Sequence, residues 1–537
     1  MTLRAVTLRA VTLRAVTSRL LLLVALAWSA PVLAGGTLRM LSRSAAGSID
    51  PQINYTAQFW QLFAATHDGL VAFRKVAGPT GTDIVPDLAD AVPAPEDGGR
   101  LYRFHLRRGI RFSNGAPVRP EDVVASFQRI FRVGSPTADS FFGIIEGARA
   151  CLAEPATCTL PGVRAEGDTI IIQLTRPDPE FLQKLALPHA SILPASAPPR
   201  DAGTTPLPGT GPYRFVHYDP NEALTLERNP YFQPWNTEAQ PAGVPDAVRY
   251  EFGLDAEAEV SAVLAGQADW MFDMPPPDRL AELGAVPGRV QVNPAFAIWF
   301  VPLNTHLPPF DDIRVRRAFN LAVDRRAAVR LFGGARLAMP LCQVVPPGLP
   351  GHEPYCPYGT DLTEARRLVA ESGTAGQAVT LVTDAAPVAR AIGTYLLDVL
   401  TDLGFQARLQ SLSANVQFTY IQNTENHVQA SLTTWYADYP AASNIIIGNF
   451  GCANFRPGSD SSTNIPGFCD PSLDARLEAA LLARDAAGIA AVDRALTDVA
   501  PAVVLFSPRY IDVVSARVDG FAYHETFRWL FQLSGVR

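Results

Sequence analysis

Between Ala378 and Tyr436 the apolar and polar positions follow two periods in turn. Ala378 to Val382 reads as a short apolar strand, and Val388 to Leu403 then sets Ile392, Leu396, Leu400 and Leu403 at helical spacing before Gly404 closes the helix. Phe405 to Leu409 alternates as a second strand. A polar-to-aromatic stretch follows, and the β-favouring run Ala430 to Trp435 makes a third strand. This βαβαβ order predicts a mainly parallel, doubly wound sheet, whose ligands bind beyond the carboxyl ends of the strands. Trp435-Tyr436-Ala437-Asp438-Tyr439-Pro440 continues directly from the last strand and would stand at that edge. An acid among aromatics there is either a ligand contact or a cap on the turn before Pro440, and spacing alone favours the cap.

The same reading extends along the chain. Thr37 to Leu41 is a candidate strand, Ser48-Ile49-Asp50-Pro51 a turn, and a helix-like segment runs on to His67-Asp68-Gly69-Leu70-Val71. Leu101 to Leu106 and Thr169 to Leu174 are strands, and Asn114-Gly115 marks a tight turn. Pro120 occupies a first helical position, followed by Glu121 and Asp122 in the first turn and an apolar face of Val123, Val124, Phe127, Ile130 and Phe131. Gly209-Thr210-Gly211-Pro212 predicts a sharp turn; a phosphate loop would need a Gly-Lys-Ser/Thr ending and a following helix, and neither is present. Asp311 or Asp312, and then Asp324, are placed to cap helices, and Asp361-Leu362-Thr363-Glu364 opens another that Gly373 closes. Arg314, Arg316 and Arg317 read as solvated or paired surface charges. Pro471 to Arg484 and Ile489 to Ala500 are amphipathic helices, and Ala502 to Phe506 is an apolar strand.

At 537 residues the chain exceeds one core, so two or three domains are expected. Its start repeats Thr-Leu-Arg-Ala-Val three times, from Thr2 to Val16, and after Ser18-Arg19 an apolar run from Leu20 to Trp28 leads to Val32-Leu33-Ala34. Four arginines without acids, an apolar stretch and small residues predict a signal peptide over residues 1–34 cleaved after Ala34. Leu20 to Ala34 is shorter than the roughly 18 residues that span a bilayer, and no cysteine stands beside the cleavage site to carry lipid, so a soluble, exported, periplasmic protein is expected. Without the four leader arginines, the 45 basic side chains fall to 41 against 52 acids, a formal charge near -11 that argues against a nucleic-acid partner.

The six cysteines fall into three local pairs, Cys151 with Cys158, Cys342 with Cys356 and Cys452 with Cys469. In an exported chain these spacings make local disulfides the simplest assignment, each stabilising by about 2 to 4 kcal/mol. No metal is expected. Cys-x-x-Cys is absent, and the eight histidines show neither His-x-His nor His-x-x-x-His spacing.

Tyr102 to Arg107, Phe112-Ser113-Asn114-Gly115, Glu121-Asp122-Val123 and Ser126-Phe127 together resemble the signature region of the family 5 extracellular solute-binding proteins, the peptide- and nickel-binding components of bacterial ABC importers. Further parts of that pattern recur in order: Gly209 to Tyr213, Arg228-Asn229-Pro230-Tyr231, Leu264-Ala265-Gly266 with Asp269, Asn304, Pro309-Phe310, Arg314 to Ala318 ending at Asp324, and Trp435 to Pro440. The resemblance spans essentially the whole mature chain. It implies an α/β fold of two lobes, the enlarged type II periplasmic-binding-protein fold, closing on a ligand. By analogy the first lobe comprises 35–293 and 501–537, with an inserted subdomain near 77–208, and the second comprises 294–500. The hinge crossings fall near Asn293 to Ala297 and Ala500 to Val503.

The resemblance also implies that Asp438 pairs with a peptide's amino terminus, with Trp435, Tyr436 and Tyr439 as aromatic walls of which at least one is core. An ammonium in a water-excluding cleft needs a charged partner, and strand-like main-chain bonding gives affinity without reading side chains. The expected role is therefore capture of short peptides by a monomer, without a cofactor, and their delivery to ABC permease subunits. After Pro440 this chain departs from the family pattern, with Ala441-Ala442-Ser443-Asn444 where another acid and a proline are usual. Other solutes that family members take, a nickel chelate, haem, an oligosaccharide or an opine, remain open, with His427 and His524 as the residues a metal chelate would use. An exported hydrolase is the remaining class, although neither Gly-x-Ser-x-Gly nor His-Glu-x-x-His occurs.

Overall fold

The computed structural model describes residues 35–45 and 47–537; the expected signal peptide and its cleavage site lie outside the described residues. The chain forms a two-lobed α/β structure. One sheet of five strands has the order Trp270–Met271, Thr37–Ser42, Ala247–Phe252, Ala223–Arg228, Tyr213–Asp219, and its first two pairings are parallel. Thr37–Ser42 buries Leu38, Met40 and Leu41, and helix Ala57–Thr66, buried almost all round, joins the same core through Phe59, Leu62 and Phe63. The helix ends against Gly209-Thr210-Gly211-Pro212. Neither glycine there has a positive φ. A Cβ on Gly211 would lie 2.6 Å from the Ala65 carbonyl, so these glycines serve close approach to the helix end rather than the conformational freedom of a turn.

Within the expected insert, Leu101–His105, Thr169–Gln173 and Val163–Glu166 form an antiparallel sheet. Helix Pro120–Arg132 packs on it as its amphipathic pattern requires, with the Asp122 carboxylate accepting the Arg119 N–H at 2.8 Å. The other helix starts are also local chemistry. Asp312, Asp324 and Asp361 accept N–H groups of Arg314, Arg326 and Glu364 at 2.8 to 2.9 Å. Arg316 is a correction to its reading as surface charge: it is buried and donates to the carbonyls of Phe310 and Val499, because the helix Ile313–Ala322 turns that face towards the last turn of Ala486–Val499.

The predicted βαβαβ unit forms a parallel sheet of three strands, Gln406–Leu412, Ala378–Asp384 and Ala430–Ser431, around helix Pro387–Asp402. Its last strand departs from expectation. The run Ala430 to Trp435 divides at Leu432: Ala430–Ser431 stays in the parallel sheet, whereas Thr433–Tyr436 pairs antiparallel with Ala297–Phe300 in a different sheet. Asp438 thus follows an antiparallel strand, and does not stand at the carboxyl edge of the doubly wound sheet. That second sheet has the order Val290–Pro294, Ala502–Val513, Ala297–Pro302, Thr433–Tyr436, with Ala338–Pro340 also on the long strand. The long strand pairs with Ala297–Pro302 over Ala502 to Phe506 and with Val290–Pro294 over Arg509 to Val513. It therefore begins beside position 501 and changes partner near Ser507 and Pro508, well inside its own length. All three local cysteine pairs are disulfides, with Cα separations of 4.5, 5.1 and 4.5 Å.

Candidate functional site

The change of partner along Ala502–Val513 brings distant parts of the chain to one place. Ala437 N–H donates to the Phe296 carbonyl at 2.7 Å, Ala295 N–H reaches the Pro508 carbonyl at 3.4 Å, and the Tyr436 ring stacks on Tyr510 with centroids 5.8 Å apart. Around this crossing lies a cleft of about 470 Å³, within the range of small-ligand sites. Helix Ala57–Thr66 and the residues just before it supply Tyr55 and Trp60, and the C-terminal segment supplies Glu525 and Arg528. Trp435, Tyr436 and Asp438 line it from the other side.

Asp438 is held by Asn444. The Asn444 side-chain amide donates to Asp438 Oδ2 at 2.8 Å, while its Oδ1 accepts the Asp438 N–H and the Trp435 indole N–H, each at 3.1 Å. Asn444 sits in the first turn of helix Ala442–Phe450 and belongs to the stretch that departs from the family pattern, so the departure supplies a brace for the acid. Burial lifts the Asp438 pKa to about 6, outweighing the Tyr55 hydroxyl and the Asn444 amide, which both favour the ionised form. No cation contributes to that balance. The site is an acid held ionisable, with hydrogen-bond donors on one side and open space on the other.

Of the other expected wall residues, Trp435 and Tyr436 line the cleft, and Tyr436 is 43% exposed. Tyr439 does not reach it. It is 6% exposed, packs edge-on against Phe141 at 5.9 Å, and has Lys184 Nζ 5.7 Å from its ring. The backbone leaves the strand after Tyr436, so Tyr439 turns into the core that holds Phe59, Phe63 and Phe141 instead of continuing the cleft wall. Three polar contacts join the same two parts of the chain. Ser443 Oγ donates to Glu180, Arg456 Nη2 donates to Asp139 at 2.8 Å, and Arg176 pairs with Glu478 at 3.5 Å.

The cleft also contains residues that no local pattern marks. Arg528 is 6% exposed; it donates to Asp512 Oδ1 at 2.8 Å and to the Phe272 carbonyl at 2.9 Å, with the rings of Trp270, Phe272 and Tyr510 about it. Its charge is neutralised internally. Arg509 lines the cleft and forms no ion pair among the described residues. His427 and His524 are not brought together. His427 borders a separate shallow depression, and His524 is buried with Nε2 3.0 Å from the Gly81 carbonyl, its pKa lowered to about 4 by burial. Among the described residues no group of three or more His, Cys, Asp or Glu side chains is placed to hold a metal, and no helix is long and apolar enough to cross a membrane.

Residues 83–457 match the bacterial extracellular solute-binding proteins, family 5 Middle. The chain is 28% identical over 421 residues to the Probable di/tripeptide-binding protein 5 of Pseudomonas aeruginosa (strain UCBPP-PA14), covering 73% of this chain and 74% of the relative. It is 24% identical over 529 residues to Di/tripeptide-binding protein 2 of the same strain, covering 93% and 95%. Among solved structures, Clavulanic acid biosynthesis oligopeptide binding protein 2 superimposes with a TM-score of 0.84 at 24% identity, over 94% of this chain and 96% of that one. That likeness is one of fold.

Proposed function

Because the chain belongs to the bacterial extracellular solute-binding proteins of family 5, whose members are transport binding proteins, we propose that it captures short peptides in the cleft and hands them to the permease subunits of an ABC importer. The observation that carries this reading is Asp438, an acid facing the cleft with two neutral donors and no cation. A peptide ammonium completes it, and the aromatic rings of Trp60, Trp435 and Tyr436 cover the apolar parts of such a ligand. The relatives' names, di/tripeptide-binding proteins, point to the same ligand class.

In this reading the first lobe comprises 35–293 with the C-terminal tail, carries the insert near 77–208, and meets the second lobe at two crossings. One is the expected Asn293 to Ala297. The other we draw within the long strand at Ser507 to Arg509, because the strand changes partners there. The exported precursor is cut after Ala34, and the mature protein works as a monomer in the periplasm. Closure joins the insert to the second lobe through Glu180 and Ser443 and is driven by a ligand that binds the closed form more tightly than the open one.

The test is native purification followed by mass spectrometry of the carried ligand, with thermal-shift measurements on di- and tripeptides alongside. A bound peptide at 100 times its Kd stabilises the fold by about 2.7 kcal/mol. A sugar, haem or metal chelate in the purified protein, with no response to peptides, would overturn the proposal.

A further inference from the structure

The cleft holds a second carboxylate. Glu525 lines the same cavity as Asp438, and its Oε2 is buried with no hydrogen-bond partner; the neighbouring Thr526 Oγ1, also in the wall, is in the same state. No ion pair to Glu525 forms among the described residues, and burial raises its pKa with only its own backbone N–H opposing. A buried carboxylate oxygen without a donor costs free energy that a bound cation would return. The charges of the cleft can then be counted. With both acids ionised, Asp438 and Glu525 carry two negative charges, Arg509 is positive and without an ion pair, and Arg528 is neutralised by Asp512. The balance is one negative charge. A peptide with free termini is neutral and leaves it uncompensated, whereas one that also carries a basic side chain matches it, group for group.

We propose that the cleft selects peptides containing lysine or arginine, with Glu525 as the residue that receives the basic side chain and Arg509 the one that receives the peptide carboxylate. The rings of Trp60 and Phe272 in the same wall suit the aliphatic stem of such a side chain. The inference rests on the peptide reading above and names the chemistry of its side chains.

The test is calorimetric titration of the mature protein with Ala-Ala-Ala, Lys-Ala-Ala, Ala-Lys-Ala, Ala-Ala-Lys, and the same three with methionine in place of lysine. At least one lysine peptide should bind about 10- to 100-fold more tightly than its methionine counterpart, the worth of a hydrogen-bonded charge. In Glu525→Gln, which keeps shape, that advantage should vanish, while Ala-Ala-Ala, which leaves the Glu525 charge uncompensated in the wild-type protein, should bind the variant no more weakly. Equal affinity of lysine and methionine peptides for the wild-type protein overturns the proposal without need of a variant. A lysine preference that survives in Glu525→Gln overturns the role of Glu525. If no tripeptide binds the folded protein, the peptide reading fails and this inference with it, whereas binding of Ala-Ala-Ala without lysine preference fails this inference alone.

Discussion

Replacing Asp438 by asparagine should make the protein more stable and a worse binder, and the size of both effects follows from its surroundings. The carboxyl pKa is raised from 3.8 to about 6 by burial. At about 1.4 kcal/mol per tenfold change in the protonation equilibrium, holding Asp438 ionised in the empty cleft costs no more than about 3 kcal/mol, with water in the cleft reducing it. The folded-state pKa lies above the unfolded one, so this cost is absent below pH 3.8, grows as the pH rises through about 6, and is fully present above it. The amide introduced by Asp438→Asn carries no such charge, while its carbonyl oxygen can still accept from the Asn444 amide that now serves Asp438 Oδ2. Calorimetric unfolding of the empty proteins should therefore show Asp438→Asn gaining up to about 2 kcal/mol over wild type near pH 8 and nothing near pH 3.5.

The same substitution removes the proposed partner of the ligand ammonium. Losing one member of a buried, hydrogen-bonded charge pair costs about 2 to 5 kcal/mol, so affinity for a tripeptide with a free amino terminus should fall by roughly 100-fold. An N-acetylated tripeptide should bind the two proteins alike. Wild-type affinity for the free-amine peptide should drop as the pH falls through about 6, where Asp438 takes up its proton in the empty cleft, and that dependence should be absent from the variant. An Asp438→Asn protein that binds the free-amine tripeptide as tightly as wild type does, or that is less stable at mildly alkaline pH, would refute the argument and return Asp438 to a capping role.

Much of this framework was legible because it is local. Asp312, Asp324 and Asp361 announce helix starts by residue type and spacing, and the bonds they form lie within three residues. The paired cysteines lie on short loops that cannot avoid closeness. Leu432 shows where local reading ends. Nothing in Ala430 to Trp435 interrupts a strand; the break exists because Ser431 and Thr433 are claimed by different sheets, a contest decided by partners far away in the chain. The aromatic stretch met the same difficulty. Trp435 and Tyr439 share a side only if extended backbone persists, and it stops at Tyr436, which sends Tyr439 to Phe141. Tyr55, Arg509 and Glu525 were invisible for a further reason. Each is a single side chain without a motif, and only the crossing near Pro508 assembles them into one wall. Asn444 was visible as a departure from the family pattern, though its bracing of Asp438 needed the fold.

Three further outcomes are expected. Removing the Cys452–Cys469 bond with a pair of serines frees a loop of 17 residues and should lower stability by about 3 kcal/mol in urea unfolding; a loss below about 0.5 kcal/mol would show the loop already constrained. Arg528→Met strips the cation from buried Asp512 and should cost about 3 to 5 kcal/mol, with much of it recovered when Asp512→Leu is added; no recovery would mean that Arg528 acts through its aromatic contacts instead. Ser443→Ala tests closure itself. Ser443 Oγ donates to Glu180, a residue 9% exposed in the proposed insert, and neither side chain lines the cleft. In an open form both would face water, so the lost hydrogen bond weakens the closed form alone, by the roughly 1.5 to 3 kcal/mol typical of a bond to a charged group. Apparent affinity scales with the population of the binding-competent form, so peptide binding should weaken by about 10- to 100-fold with every ligand contact intact, and small-angle scattering should show the ligand compacting wild type at lower concentration than the variant. Unchanged affinity in Ser443→Ala would mean that the Glu180 contact follows closure without holding it.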